Sequence, residues 1–537
     1  MIIHFERDAS YYAEQSHKAE EQGRLFDALR YADKARSLSP NFEHCFHYAS
    51  LLNDVECYLE SAVACYQMRS FTLTGEQLKE WIRLVADNAQ EQNALPAVIH
   101  YNQEYLRAAE ADEAQELLEE YMSRWDEDEK RKLQFSDKLH DEDNRNLYRQ
   151  AVEAYEAGDY ALAVALASSI EEGYALHKEG LFVRGMSKAS MGDMDGAKID
   201  LVTMYALSRD PRVLLHLDEI SPLSDEELRG LLSQAKLEDE EDYLVSSSLA
   251  SRHRLDEMAE TWMANALELD PFDPFVTYNY AAALLNVGEK EDAYLLMREG
   301  KELHSFLPSD LLSAPLMRLT VARDGLPPEW NEWLTALVKD KARESDFSLQ
   351  EALLSKSFRE DVKYLLCYGE DAVGLWIADL LNQFVSMETV KLAREVLLFP
   401  RLSPIVCHRM LKLLLFGVRR GRVAVAFHYI YQTYHLKVPA SFDDMSEVLK
   451  EAFCNAYFEM AFSLKQNETK LARLVEKVYL TPPEWDYSPE VMGTAMWTVV
   501  CLNKRESQNM GSLLDSRGLD PTEFALAVTY LKSLQNG

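Results

Sequence analysis

A spacing of 34 residues constrains this chain more than any other feature. Residues 21–40, EQGRLFDALRYADKARSLSP, hold Gly23, then Ala28, Ala32 and Ala35, then Pro40. A glycine turn, small residues along one helical face and a proline stop describe the second helix of a helical hairpin. Cys57 lies 34 residues after Gly23, with Ala62 and Tyr66 in the matching places. Trp81, Leu84, Ala97 and Tyr101 repeat the pattern after a slip of one residue. Gly158, Tyr160, Ala163 and Ala167 form a further copy, and Gly192, Met194, Ala197 and Leu201 another, again 34 residues on. Ala259, Met263, Ala266 and Pro271 mark a sixth. Gly288, with Tyr280, Ala281, Ala293 and Met297, makes a seventh, 34 residues beyond Arg254 at the turn. Periods of this length belong to arrays in which each unit buries its apolar face only against its neighbours.

These positions resemble the tetratricopeptide repeat (TPR), in units 9–42, 43–76, 78–111, 144–177, 178–211, 240–273 and 274–307. The resemblance implies an all-α fold, a right-handed α-solenoid of helical hairpins. The stretches 112–143 and 212–239 are acidic and read as degenerate repeats or as charged linkers. From 308 the period is lost. Pro308, Pro315, Pro327 and Pro328 punctuate short helices, and 308–486 reads as an irregular, HEAT-like helical region. Within it, 422–438 (RVAVAFHYIYQTYHLKV) alternates, with Val423, Val425, Phe427, Tyr429 and Tyr431 on one side. Periodicity leaves a strand or hairpin and a buried helix both open there. Residues 487–537 form a C-terminal helical module. Its segment 507–534 resembles a degenerate helix-turn-helix through Leu514, Gly518, Leu519, Phe524 and Ala527. Pro521–Leu534 carries Lys532 as its single cation, which suits a packing module that does not read DNA.

Charge narrows the function. The chain has 56 basic and 90 acidic residues, a formal net of −34. Such a chain is repelled by nucleic acid and by anionic membrane unless cations are locally concentrated. Its seven cysteines are dispersed and form no CxxC, which points to reduced thiols and a cytoplasmic location. No signal peptide or membrane span reads from the sequence. Phosphate-binding glycine loops, nucleophile elbows and HExxH are lacking, so we expect no enzyme and no cofactor. His44, Cys45, His47, Cys57 and Cys65 cluster in unit two at spacings that fit no familiar zinc site.

The remaining expectation is a protein-interaction scaffold. In the TPR family the concave groove is lined from the first helix of each unit. Carried over, the resemblance implies a peptide-binding groove of Arg145, Tyr148, Tyr155, Phe182, Met186, Phe275, Tyr278 and Asn286, holding a peptide or helix of a partner protein. The matching places for a chaperone-tail clamp fit only at Lys79 and Arg83, which argues against that clamp. A second candidate surface is basic. From Val396 to Phe442 there is no Asp or Glu, where about eight would be expected at the chain average. The same stretch holds Arg401, Arg409, Lys412, Arg419, Arg420, Arg422 and Lys437. It reads either as an island neutralised internally or as a contact for an acidic partner or nucleic acid.

Overall fold

The structure, a computed structural model, describes residues 8–92, 94–108, 142–170, 176–304, 319–322, 326–344, 346–463, 465–502 and 510–536. The expectations for 112–141, Pro308, Pro315 and the start of 507–534 lie outside these residues. Among the described residues no helix is long and apolar enough to cross a membrane. The chain forms two compact units. The first comprises Met1–Ala108, Leu303–Leu311 and Trp333–Gly537, the second Ala109–Glu302 and Leu312–Glu332.

The first unit opens with three helical hairpins. They are α1 (Ala9–Glu21) with α2 (Leu25–Leu38), α3 (Phe42–Asp54) with α4 (Tyr58–Met68), and α5 (Gly75–Glu91) with α6 (Leu95–Ala108). Each first helix is capped by a short polar side chain: Asp8, Asn41 and Thr74 accept from the amides of Tyr11, His44 and Gln77. The second unit stacks α7 (Glu142–Glu156) with α8 (Tyr160–Ser168), and α9 (His177–Ser190) with α10 (Met194–Ser208). It continues with α11 (Pro211–Ile220), α12 (Asp225–Leu232), α13 (Glu240–Arg252) and α14 (Asp256–Leu269), then α15 (Pro274–Val287) and α16 (Lys290–Leu303). The gap 212–239 is thus largely helical, with the Ser224–Glu227 capping box starting α12.

The period acts through two positions. Ala28, Ala62, Ala97, Ala163, Ala197, Ala259 and Ala293, one per unit, are all 0–1% exposed. A larger side chain there would force the paired helices apart. In six of the hairpins the turn is left-handed, at Gly23, Glu56, Gly158, Gly192, Arg254 and Gly288. The next residue donates its amide to the carbonyl five positions back, as in Cys57→Leu52, Asp193→Lys188 and Leu255→Ala250. One detail differs from the sequence reading. Cys57 is not the turn residue; Glu56 is, and Cys57 is the residue just before α4.

The rest of the first unit is helical apart from one hairpin. In order come α17 (Pro328–Glu344), α18 (Asp346–Ala352), α19 (Lys356–Tyr368), α20 (Asp371–Asn382), α21 (Met387–Val396) and α22 (Pro404–Gly417). Strands β1 (Arg420–Phe427) and β2 (Ile430–Lys437) follow, paired antiparallel from Arg420 opposite Lys437 to Phe427 opposite Ile430. The strand alternative for 422–438 is the one adopted. The alternation does not run through to Tyr431, because His428 and Tyr429 form a two-residue turn with φ of 47° and 65°. Beyond that turn the buried face of β2 is Ile430, Tyr434 and Leu436. Helices α23 (Glu447–Phe462), α24 (Glu468–Leu480), α25 (Pro489–Cys501), α26 (Met510–Arg517) and α27 (Pro521–Asn536) complete the unit. Gly518 is left-handed before α27, whose buried Phe524, Ala527 and Leu531 accompany packing on α24 and α25.

The hairpin tip joins the two ends of this unit. The Tyr429 carbonyl accepts from the hydroxyls of Tyr66 and Tyr101, each at 3.0 Å. Tyr101 accepts in turn from the Tyr431 amide at 2.8 Å. The Tyr429 hydroxyl accepts from Arg401 Nε at 3.0 Å and donates to Gln92 Oε1 at 3.1 Å. Tyr431 stacks on Tyr66, with ring centres 5.6 Å apart.

Left-handed backbone costs a non-glycine residue about 1 kcal/mol or more. Glu56 and Arg254 are exposed at such turns. Glu56→Gly and Arg254→Gly should each raise unfolding stability by up to about 1 kcal/mol, read from urea midpoints. Destabilisation by either would contradict the turn assignment.

Candidate functional site

In the second unit the first helices α13 and α15 hold a short extended piece of the chain itself, Leu319–Ala322. Helix α15 (PFVTYNYAAALLNV) forms because Asp273 caps it, Pro274 occupies its first turn and Gly288 ends it in a left-handed turn. Its composition is apolar apart from Thr277, Asn279 and Asn286 among the interior positions. Asparagine is a poor helix former, and two of them spaced seven residues apart fall on one helical face.

Both asparagines bond main chain. Asn279 Nδ2 donates to the Ala322 carbonyl at 2.7 Å, and its Oδ1 accepts the Ala322 amide at 3.1 Å. Asn286 Oδ1 accepts the Leu319 amide at 2.8 Å, and its Nδ2 donates to the Leu319 carbonyl. From α13, Ser251 Oγ accepts the Val321 amide at 3.2 Å and donates to the Leu319 carbonyl at 3.4 Å. Leu319 and Val321 are 1% and 0% exposed, whereas Thr320 and Ala322 are half-buried. Val321 joins the buried cluster of Leu244, Met263, Ala266, Val276 and Ala283. The Thr320 hydroxyl donates to Glu329 at 2.5 Å. Side-chain amides thus hold the segment by its main chain, with apolar residues inward at alternate places.

Of the expected groove residues, the structure brings Asn286 to this segment. Tyr278 is 1% exposed, set edge-on to Trp330, so the chain itself covers its ring. Phe275 is half-buried on α15. Phe182 lies against His216 with ring centres 5.1 Å apart, packed on the Leu201–Leu217 cluster. Tyr148 and Tyr155 pack beside Ala151, Ala154 and Ala163, and Met186 is half-buried. Arg145 is on α7, and its side chain lies outside the described residues. Asn279 and Ser251 were missed. The seven-residue spacing of Asn279 and Asn286 was the available signal.

The basic stretch separates into two sets. Arg409 pairs with Asp379 at 2.9 Å and with Glu451 at 3.3 Å, Lys412 with Glu451, and Arg419 with Asp443 at 2.6 Å. Arg401 is drawn to Tyr429 and Gln92. Arg420, Arg422 and Lys437 are exposed at the open end of the hairpin. Arg420 stands opposite Lys437, and Arg422 opposite His435.

Three groups of side chains could offer donors to a metal ion: His17, Glu20 and His47; Cys57, Glu60 and His304; and Glu240, Asp270 and Asp273. The clustered His44, Cys45, His47, Cys57 and Cys65 therefore divide. In the first group His47 Nε2 lies 2.8 Å from Ser16 Oγ. In the second, buried His304 Nδ1 lies 3.0 Å from Glu60 Oε1, a paired contact that satisfies both. In the third, Asp270 and Asp273 already accept backbone amides, including the α15 cap to Val276 at 2.7 Å. Each group supplies three ligands, one fewer than a closed tetrahedral zinc site takes.

No protein-family model matches the chain, and no curated protein matches it. Among solved structures it is similar to the TPR2AB domain of yeast Sti1 in its pHSP90 complex, at 14% identity over 55% of this chain and 98% of that one, with a TM-score of 0.20. It is similar to yeast Tom70 at 12% identity over 76% and 88%, TM-score 0.27. It is also similar to Naa15/Naa10 bound to HypK-THB at 12% identity over 98% and 78%, TM-score 0.27. At such scores the whole chains do not superpose, and the fold is read from the hairpins themselves.

Burial, then the charges of Asp273 and Asp270, push the Glu240 carboxyl up to about 8. The unfolded group titrates in the ordinary carboxylate range, so the folded state binds more protons between about 4.5 and 8. Stability should therefore fall as pH rises through that window. Glu240→Gln should flatten the pH dependence of the second unit's melting temperature. An unchanged slope would show that Glu240 does not carry it.

Proposed function

We propose that the chain is a non-catalytic scaffold that binds a segment of a partner protein along the first-helix face of its second unit. The observation that carries this reading is the amide pairing of Asn279 and Asn286 with the chain's own extended segment. A helical face that bonds the main chain of a strand and seats alternate apolar side chains is built to hold peptide. The seven cysteines are all free thiols, which fits the reducing cytoplasm we assign it. To the same groove we assign the expected residues Tyr148 on α7 and Phe182 and Met186 on α9. A photo-crosslinking side chain at Met186 in the native cell identifies the partner. With that partner purified, Tyr148→Ala together with Phe182→Ala should weaken binding at least about fivefold, on the scale of one or two lost aromatic anchors. Unaltered affinity, or lost binding accompanied by collapse of the melting transition, would sink this groove assignment.

The β-hairpin supports a second reading, a contact for an acidic partner. Directly opposed like charges weaken a strand pair. Arg420 with Lys437 places such a pair, with Arg422 beside it, on one exposed face in a chain of net charge −34. An anionic segment would neutralise them, whereas a long polyanion such as nucleic acid meets the chain's overall negative field. Arg420→Glu with Arg422→Glu should leave stability unchanged or raised by about 0.2–1 kcal/mol, since opposite charges then face each other. The same variant should abolish low-salt binding of a poly-glutamate peptide. A marked loss of stability would instead mean that these arginines serve the fold.

A further inference from the structure

We propose that Leu319–Ala322 is an internal stand-in for the ligand. On this view the partner contributes an extended, interior segment with a Leu-x-Val type of apolar pair, which binds by exchange with it. The proposal rests on the scaffold reading and adds both the ligand class and the means of regulation.

Three features of the contact define the ligand. Each asparagine addresses the N–H and the C=O of one residue, Ala322 for Asn279 and Leu319 for Asn286. The seven-residue helical step between them rises about 10 Å. The three-residue step from Leu319 to Ala322 rises about 10 Å in extended chain. The helix is therefore a ruler matched to a strand, and the segment runs antiparallel to α15. Asparagine is neutral and the bonded residues are interior to the chain, so neither a terminal carboxylate nor an acidic side chain is required. Sequence enters through the two inward side chains, Leu319 and Val321, which are almost fully buried.

Exchange retains what simple opening gives up. If the segment left and nothing replaced it, Leu319, Val321 and the apolar wall they cover would be exposed to water, and the bonds that Asn279, Asn286 and Ser251 make to the segment would pass to solvent. An incoming strand restores every one of these bonds. One turn before Ser251 on α13, the Ser247 hydroxyl is buried without a hydrogen-bond partner among the described residues. A tethered segment competes at an effective concentration on the order of mM. Free peptide should therefore bind the unaltered chain weakly and bind tightly once the internal segment is disabled.

The experiment uses the full chain and a fluorescent synthetic peptide with the sequence of residues 317–324, MRLTVARD. Anisotropy titrations compare the unaltered protein with Leu319→Asp/Val321→Asp, and with that variant carrying Asn279→Ala/Asn286→Ala. The aspartates should tighten peptide binding at least about tenfold, and the alanines should remove the gain. In parallel, hydrogen exchange at the amides of Leu319, Val321 and Ala322 is followed in the unaltered protein, so the outcome does not depend on how the variants fold. Millimolar peptide should speed exchange at these amides while α15 stays protected. Unchanged exchange at saturating peptide, equal affinity with and without the aspartates, or no peptide binding to any form would each overturn the internal-ligand proposal. If the crosslinked partner binds while exchange at 319–322 is unmoved, the scaffold reading survives and this proposal alone fails. If that partner's binding ignores the groove substitutions on α7 and α9, the scaffold reading fails independently.

Discussion

The first unit depends on one carbonyl oxygen. Tyr429 O accepts from Tyr66 and Tyr101, the large residues at equivalent places in two successive repeats. A buried carbonyl has two lone pairs, and both are used. The bonds span more than 300 residues of sequence, so the N-terminal hairpins and the C-terminal helices fold as one body. The turn that presents this oxygen is itself unfavourable, since His428 and Tyr429 both have positive φ in a place usually given to Asn-Gly. Strained backbone persists only where surrounding contacts over-determine it. Here the surrounding contacts are two tyrosine hydroxyls on the carbonyl, and Arg401 with Gln92 on the ring hydroxyl.

The second unit solves a related problem in the same chemical terms. Its non-repeat segment, Leu319–Ala322, pairs with no strand among the described residues. Extended backbone that is buried must find donors and acceptors. Asn279, Asn286 and Ser251 supply them from the helix faces. In both units, then, repeat helices carry polar side chains whose partners are main-chain atoms of a distant, non-helical piece. The repeats contribute a regular apolar frame, and a few polar substitutions in it select what the frame holds.

The sequence made the frame legible because the frame is periodic. Alanine at one position per unit and a turn residue 34 places apart are visible without a structure; the alanines prove fully buried, and Gly23, Gly158, Gly192, Arg254 and Gly288 left-handed. The slip at Cys57 arose because Glu56, not a glycine, takes the left-handed turn, and glutamate gives no sign of it. The hairpin at 420–437 was ambiguous since a run of Val, Ala, Phe and Tyr suits a buried helix and a strand alike. What the sequence hid altogether was long-range pairing. Nothing in Tyr66 or Tyr101 reveals Tyr429, and nothing in a non-repeat stretch around Leu319 reveals that it lies on α15. Local pattern reports which face of a helix is polar, not which segment arrives there.

Electrostatics divides the two candidate surfaces. The face on α13 and α15 works through neutral amides and a hydroxyl, with apolar side chains sealing it. Hydrogen bonds of this kind carry no net charge, so ionic screening touches them little. The hairpin face of Arg420, Arg422, His435 and Lys437 is exposed, and its attraction for an anion is screened beyond about 8 Å at physiological ionic strength. A chain of net charge −34 gains from that division. Its own field opposes acidic partners at long range and leaves neutral extended segments unaffected. The groove can therefore operate in a strongly acidic protein without any local reversal of charge, whereas the hairpin needs the acid-free stretch from Val396 to Phe442 in order to attract at all.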